Sequence, residues 1–193
     1  MSNISPASPS GAGADPSPTA APEVEDEALR GAVLAGIVPD QPSRVLKEAA
    51  RYAHLHGTYL VVVHVDVTRF VTYEDPDGYV HSAPIDMNID PGADNYKAVT
   101  AQAAALLEGG DVKWTARQLV GDPAMAIKHL ADRLDARLIV VGTRRRGFGE
   151  SVREFFTGSV AARLAHRQRH NILVVPLGEP VPDDQELIWD DAG

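Results

Sequence analysis

Residues 138–176 read LIVVGTRRRGFGESVREFFTGSVAARLAHRQRHNILVVP and contain the features that decide the fold. A strand is predicted over Arg137–Gly142 (RLIVVG); it ends in glycine and is followed by a basic, glycine-containing loop. We predict a helix from about Gly158 to Arg169 and a second apolar strand over residues 171–176. Near-continuous apolar strands separated by a helix are typical of a parallel sheet that is covered on both faces.

The same alternation extends upstream. Apolar runs predict strands at residues 32–38, 59–67 and 112–120, and helical spacing predicts helices after Pro42-Ser43, over residues 92–107 and after Asp122-Pro123. Asp122 is the predicted N-cap of that last helix. The pattern predicts an α/β fold with a five-stranded, doubly wound, mainly parallel sheet and helices on both faces, a Rossmann-like arrangement. Ligands of such sheets bind beyond the carboxyl ends of the strands, so the loops after Val38, Val65 and Gly142 are the candidate sites.

Composition and charge divide the chain into three parts. Residues 1–29 are rich in Ser, Pro and Ala, carry five acids and no base, and are expected to be a disordered tail; residues 178–193 form a second acidic tail with six acids. Because the whole chain carries −9, residues 30–177 carry about +2, and this predicted domain can tolerate an anion. The 193 residues include no cysteine, signal-peptide pattern or membrane-length apolar run, so we expect a cytoplasmic protein without a membrane partner.

Residues 67–92 do not follow the alternating pattern. They mix tyrosines, prolines and acids without a clear period. Such a stretch inside a compact domain is usually functional or mobile. Two interpretations stay open, a lid over the crevice and a plain surface excursion.

The predicted last helix begins beside Gly158 and Ser159. A helix N-terminus presents unpaired N–H groups and a partial positive charge, both of which suit a phosphate. Glycine allows the backbone to approach the ligand closely, and the Ser159 hydroxyl adds a hydrogen-bond donor. The preceding loop contains Arg144, Arg145 and Arg146, and arginine can bind a phosphate through two N–H groups. The loop is therefore either a phosphate-binding loop or a basic loop exposed to solvent.

With these features, residues 30–177 resemble the universal stress protein family. The matching segments are VVG at Val140–Gly142, GSV at Gly158–Val160, the closing ILVVP, HV at His64–Val65, Gly121-Asp122-Pro123, and the first strand with Pro42-Ser43. The resemblance implies an adenine nucleotide alpha hydrolase-like fold, frequent homodimers and, in one subclass, an ATP or AMP site. It also implies a role in the stress response or in signalling.

The resemblance assigns ligand contacts to particular positions. It implies that Val65 meets adenine through its backbone and that Val141, Gly142, Gly158, Ser159 and Val160 line the phosphate end. The predicted nucleotide site is completed by Ile37, Val38, Pro39, Arg144, Arg145 and Gly147. The subclass motif Gly-x2-Gly-x9-Gly-Ser/Thr is altered here to Gly142-x4-Gly147-x10-Gly158, and Val38 stands where an acid near the ribose or Mg²⁺ is expected. Losing the acid weakens Mg²⁺ and ribose contacts, whereas the arginines strengthen phosphate contacts. ATP or AMP is the expected ligand, and the need for Mg²⁺ stays open.

Other chemistries have less support in the sequence. The pairs His54/His56 and His166/His170 lack the carboxylates of known metal motifs, so we assign them surface or capping roles and expect no metal site. His64 is expected in the core or the crevice.

Catalysis and nucleic-acid binding are also disfavoured. No motif places a His or Asp beside Ser159, so an N-cap role is preferred and at most very slow ATP hydrolysis is expected. Few aromatic residues accompany the basic segment, which argues against a nucleic-acid partner. The apolar strand Ile172–Val175 is expected to pair with its symmetry mate in a homodimer if it lies at a sheet edge. The alternative to nucleotide binding is a dimeric interaction module with a degenerate site.

Overall fold

The computed structural model describes residues 21–74, 80–84, 92–143 and 160–177. The strands are β1 (Val33–Gly36), β2 (Leu60–Asp66), β3 (Arg69–Glu74), β4 (Val80–Pro84), β5 (Trp114–Val120), β6 (Leu138–Gly142) and β7 (Asn171–Val175). The helices are α1 (Arg44–His56), α2 (Gly92–Leu107), α3 (Pro123–Leu134) and α4 (Val160–Arg167), and a short 3₁₀ helix covers Asp26–Leu29. The helices and strands of the expected α/β alternation are present, with ends shifted by a few residues.

Five strands form one parallel sheet in the order β5-β2-β1-β6-β7. The predicted doubly wound sheet is thereby confirmed. From β1 the chain moves to β2 and β5 on one side, then returns to β6 and β7 on the other, so the order reverses between β1 and β6. Gly36 of β1 is in register with Val63 of β2 and Val141 of β6, which places the carboxyl ends of these three strands together.

Helices cover both faces of this sheet. On the face we call the α1/α2 face, Ala35 and Val62 pack with Ala49 of α1 and Val99 of α2. On the α3/α4 face, the buried residues include Leu34, Val61, Val63, Ile127, Leu130 and Leu164. Because strand residues alternate between the two clusters, nearly every residue of the central strands is buried, which explains their continuous apolar sequence.

The region from residue 67 to residue 92 contains a hairpin that the sequence did not indicate. Strands β3 and β4 pair antiparallel, with an irregular register between Val71 and Tyr73. The expectation that this stretch lacks regular structure is therefore wrong for these strands, while the lid and the surface excursion both stay open. The periodicity escaped detection because both strands are short and the side chains of Phe70, Val71 and Tyr73 are about half exposed, so no buried face imposes an alternating pattern.

Residues 21–29 also differ from the expected disordered tail. Leu29 is fully buried, and the Thr115 hydroxyl of β5 donates to the Pro22 carbonyl at 2.6 Å. Arg117 of β5 also donates to the Val24 carbonyl. A few apolar residues and these backbone acceptors are enough to order this short segment. The rest of the two predicted tails lies outside the described residues.

Candidate functional site

The carboxyl ends of β1, β2 and β6 form the edge at which the sequence placed a ligand. On the α3/α4 face of this edge, Val65, Val141 and Val160 pack on the same apolar cluster. Gly36 also faces this side, since a Cβ there would lie 3.2 Å from both Ile127 Cδ1 and Val141 Cγ1. Of the predicted site residues, Val65, Val141 and Val160 therefore lie on the same face of the sheet.

Gly142 faces the other side of the sheet. A Cβ at this position would lie 2.6 Å from Leu177 Cδ1 and 3.1 Å from Val45 Cγ2. Leu177 is held there because its amide donates to the Thr143 hydroxyl at 2.8 Å. Packing of Leu177 is thus sufficient to explain the glycine at 142. The contact has no signal in the sequence because residue 177 lies beyond the last strand.

The loop that follows β1 contains Ile37, Val38 and Pro39. Ile37 is 4% exposed and packs in the cluster of the α1/α2 face, whereas Val38 is 49% exposed. The Val38 amide donates to Gln41 Oε1 at 3.2 Å, so the loop closes on itself at this amide. Gln41 was not identified from the sequence.

His64 lies beneath this loop. It is 4% exposed in β2, and its Nδ1 is 3.3 Å from the Ile37 carbonyl oxygen. Burial lowers the pKa of His64, although the hydrogen bond to Ile37 and the negative charge of Asp66 act in the opposite direction. Its placement in the core is confirmed, and its contact with the candidate loop is an additional finding.

Asp66 ends β2 on the same face as His64. Its Oδ1 accepts hydrogen bonds from the amide and the hydroxyl of Thr68, at 2.8 and 2.6 Å. Its Oδ2 is buried, and no hydrogen-bond partner for it is found among the described residues. A Cβ on Gly92 would lie 1.9 Å from this oxygen, so only glycine fits at the first residue of α2.

The starts of α3 and α4 are joined by an ion pair. Arg163 of α4 donates to Asp122 through Nη1 at 2.6 Å and Nη2 at 2.8 Å. Asp122 also caps α3 by accepting from the Met125 amide at 3.0 Å, which confirms the predicted N-cap. Burial by itself would raise the pKa of Asp122, but the hydrogen bonds and charge of Arg163, together with the Met125 amide, lower it.

Part of the predicted site falls outside the described residues. This part comprises Arg144, Arg145, Gly147, Gly158 and Ser159, and Arg146 of the same loop also lies there. The altered glycine motif is therefore described only at Gly142, and the choice between a phosphate-binding loop and a solvent-exposed loop stays open.

The pairing of His166 with His170 on one helical face is not seen in the structure. The helix α4 ends at Arg167, so His166 and His170 do not share a helical face. The ring of His170 instead contacts the Ala136 carbonyl at 2.8 Å and Asp132 at 3.0 Å. Within the described segments, no group of three or more His, Cys, Asp or Glu residues is arranged to hold a metal ion.

Comparison with known proteins gives a family match. The model of the universal stress protein family matches residues 30–176. Among solved structures, a universal stress protein from Archaeoglobus fulgidus is 22% identical, with a TM-score of 0.53 over 75% of this chain and 97% of that chain. The universal stress protein from Archaeoglobus fulgidus in complex with dAMP is 20% identical, with a TM-score of 0.52 over 76% of this chain and 98% of that chain.

A third solved structure is a universal stress protein in complex with cAMP. It is 22% identical, with a TM-score of 0.50 over 78% of this chain and 99% of that chain. A comparison with curated proteins finds no match. In the described part of the chain, no helix has both the length and the apolar character needed to cross a membrane.

Proposed function

The chain belongs to the universal stress protein family, and from that premise we propose that it binds an adenine nucleotide at the carboxyl ends of β1, β2 and β6. The observation that carries the proposal is the register of Gly36 with Val63 and Val141, which places the carboxyl ends of β1, β2 and β6 together where the strand order reverses. Two structural relatives contain dAMP and cAMP, which supports a nucleotide as the ligand class. The proposed role is that of a binding module in the stress response or in signalling.

The nucleotide is proposed to lie across the edge with its base toward β2. The Val65 backbone meets the adenine, and Ile37, Val38 and Pro39 border the base and sugar. The phosphates lie toward the start of α4, where a helix N-terminus attracts negative charge. The proposed phosphate contacts are Val141, Gly142, Arg144, Arg145, Gly147, Gly158, Ser159 and Val160.

The proposed ligand is ATP or AMP, and the need of ATP for Mg²⁺ stays open. Val38 contributes no carboxylate to hold a cation, and it is 49% exposed at the loop after β1. Arginine can neutralise phosphate charge without a metal. We assign no catalytic residue, so hydrolysis of ATP is expected to be very slow at most.

We further propose a cytoplasmic homodimer formed through Ile172–Val175. The strand β7 is an edge of the sheet, and Val174 is 42% exposed there. An exposed apolar edge strand is prone to pair with another strand, and pairing with its own symmetry mate closes the assembly.

A second candidate function is a dimeric interaction module with a degenerate nucleotide site. The specific observation in its favour is Leu177, which packs on Gly142 and so occupies space beside the site. In that case the dimer through β7 is the functional unit, and nucleotide has no effect on it.

Thermal unfolding with nucleotide separates these two functions. Ligand that binds only the folded state stabilises it by about 2.7 kcal/mol at one hundred times Kd, so millimolar AMP or ATP should raise the melting temperature. Gly158→Asp places negative charge at the proposed phosphate end and should abolish the shift, whereas Ala105→Asp, at an exposed position of α2, should retain it. No shift for the unaltered protein with either nucleotide would leave only the dimeric module.

A further inference from the structure

The peptide unit between Ile37 and Val38 has both of its polar atoms occupied by side chains. Its carbonyl oxygen faces His64 Nδ1 at 3.3 Å, and its N–H donates to Gln41 Oε1 at 3.2 Å. Gln41 and His64 come from different parts of the chain, the loop before α1 and the strand β2. Gln41 and His64 therefore fix the orientation of the 37–38 peptide plane from its N–H side and its carbonyl side.

The contact with His64 defines which of its ring nitrogens carries the proton. A carbonyl oxygen only accepts hydrogen bonds, so Nδ1 must be the donor. The other nitrogen, Nε2, is buried, and no partner for it is found among the described residues, which disfavours a second proton there. Burial also lowers the pKa of His64, in agreement with a neutral ring.

Gln41 is in turn held by α2. The Gln102 side chain donates from Nε2 to the Gln41 carbonyl at 2.8 Å. Gln41 is 7% exposed, so water competes little for its hydrogen bonds. The position of the loop after β1 thus depends on α2 as well as on β2.

These contacts determine what the loop offers to a ligand. The N–H of Val38 and the carbonyl of Ile37 are already engaged, so this peptide unit has little capacity for ligand hydrogen bonds. The Val38 side chain, in contrast, is 49% exposed. Residue 38 therefore contributes apolar contact, and its position is set by Gln41 and His64.

We propose that Gln41 and His64 are positioning residues that fix the 37–38 peptide so that Val38 packs against the base and sugar of the bound nucleotide. The inference rests on the proposed function for its ligand. The hydrogen bonds themselves can be tested whether or not a nucleotide binds.

Nuclear magnetic resonance tests the contacts without a nucleotide. Nitrogen shifts of the His64 ring should show Nδ1 protonated and Nε2 unprotonated at neutral pH. Exchange of the Val38 amide proton should be about three- to tenfold faster in Gln41→Met, as expected for loss of one hydrogen bond, and unchanged in the control Gln118→Met at an exposed site of β5. A ring protonated at Nε2, or equal Val38 exchange in Gln41→Met, overturns the proposal.

Calorimetric titration with AMP tests the positioning role. His64→Leu removes the donor to Ile37, whereas His64→Asn retains a donor near the place of Nδ1. We expect AMP to bind about three- to tenfold more weakly to Gln41→Met and His64→Leu, and His64→Asn and Gln118→Met to remain within about twofold of the unaltered protein. Equal affinity in all variants overturns the positioning role. Absence of AMP binding to the unaltered protein refutes both the proposed function and the positioning role. In that case the resonance measurements still decide whether the two hydrogen bonds exist.

Discussion

Arg163 holds both carboxylate oxygens of Asp122, at 2.6 and 2.8 Å, although the two residues are 41 positions apart in the sequence. Asp122 begins α3 and Arg163 lies in the first turn of α4. The pair therefore fixes the start of α4 relative to α3. The proposed phosphate end of the site lies at the start of α4, so the ion pair also bears on the position of that end of the site.

Replacing Asp122 by Ala should destabilise the fold through the loss of both the cap and the ion pair. Loss of an N-cap costs about 1 kcal/mol, and the pair with Arg163 adds to this because both side chains are partly buried. Urea unfolding of Asp122→Ala, Arg163→Ala and the double variant measures the coupling. Asp111→Ala, at an exposed position, is the control. Additive effects of the two single changes would contradict an interaction between these residues.

Stability should fall in acid because of Asp122 and Asp132. The hydrogen bond from Lys128, with a further one from His170, lowers the pKa of Asp132, and Arg163 contributes most to lowering that of Asp122. A carboxyl whose pKa is lower in the folded state than its ordinary value of 3.8 stabilises the fold fully above that value. The contribution is lost as the pH falls through the lower folded pKa.

The urea midpoint measured from about pH 6 to about pH 2.5 checks this direction. Asp132→Asn cannot titrate, so its midpoint should be lower than that of the unaltered protein at neutral pH and should decline less in acid. Asp111→Asn should decline like the unaltered protein. An equally steep decline in Asp132→Asn would show that this carboxyl does not contribute.

Gly92→Ala should be strongly destabilising because the new methyl group would meet the Asp66 carboxylate. The added Cβ would lie 1.9 Å from Oδ2, and Asp66 is only 2% exposed, so either the carboxylate or the start of α2 must move. Overpacking of a well-packed interior costs typically about 1–3 kcal/mol. Thermal unfolding measures the loss, with Ala93→Ser at the neighbouring exposed position as the control. A melting temperature equal to that of the control would contradict the close contact.

The sequence was sufficient for the main elements of the sheet. Strands such as β2 and β6 are buried on both sides, and their continuous apolar runs are distinctive. The cap of α3 was predictable because Asp122-Pro123 is a local signal. Each of these features depends on residues that are close together in the chain.

The remaining features depend on contacts between distant residues. Leu177 packs on Gly142, His64 contacts Ile37, and Arg163 pairs with Asp122, and none of these pairs has a local pattern. The hairpin β3–β4 was missed for another reason, since its half-exposed strands bury no face that would impose alternation. The candidate-site residues at the ends of β2 and β6 could therefore be proposed from the sequence, whereas Gln41 and the His64 contact at the first loop could not.

A charge at Val174 should weaken the proposed dimer. Val174 is 42% exposed on the edge strand β7, so Val174→Lys should be tolerated in the monomer while opposing strand pairing between two copies. Light scattering should give a dimer mass for the unaltered protein and a monomer mass for the variant. Gln118→Lys, on the opposite edge strand β5, is the control and should remain dimeric. A monomer mass for the unaltered protein, or a dimer mass for Val174→Lys, would contradict the interface.

The proposed function depends on nucleotide binding, and calorimetric titration with AMP tests this claim most directly. The purified protein is first unfolded and refolded to remove any bound small molecule. We predict saturable heat with about one AMP per chain, and its loss in Gly158→Asp but not in Ala105→Asp. The absence of heat at millimolar AMP in a correctly refolded protein, or equal binding by Gly158→Asp, would contradict a phosphate site at the start of the last helix.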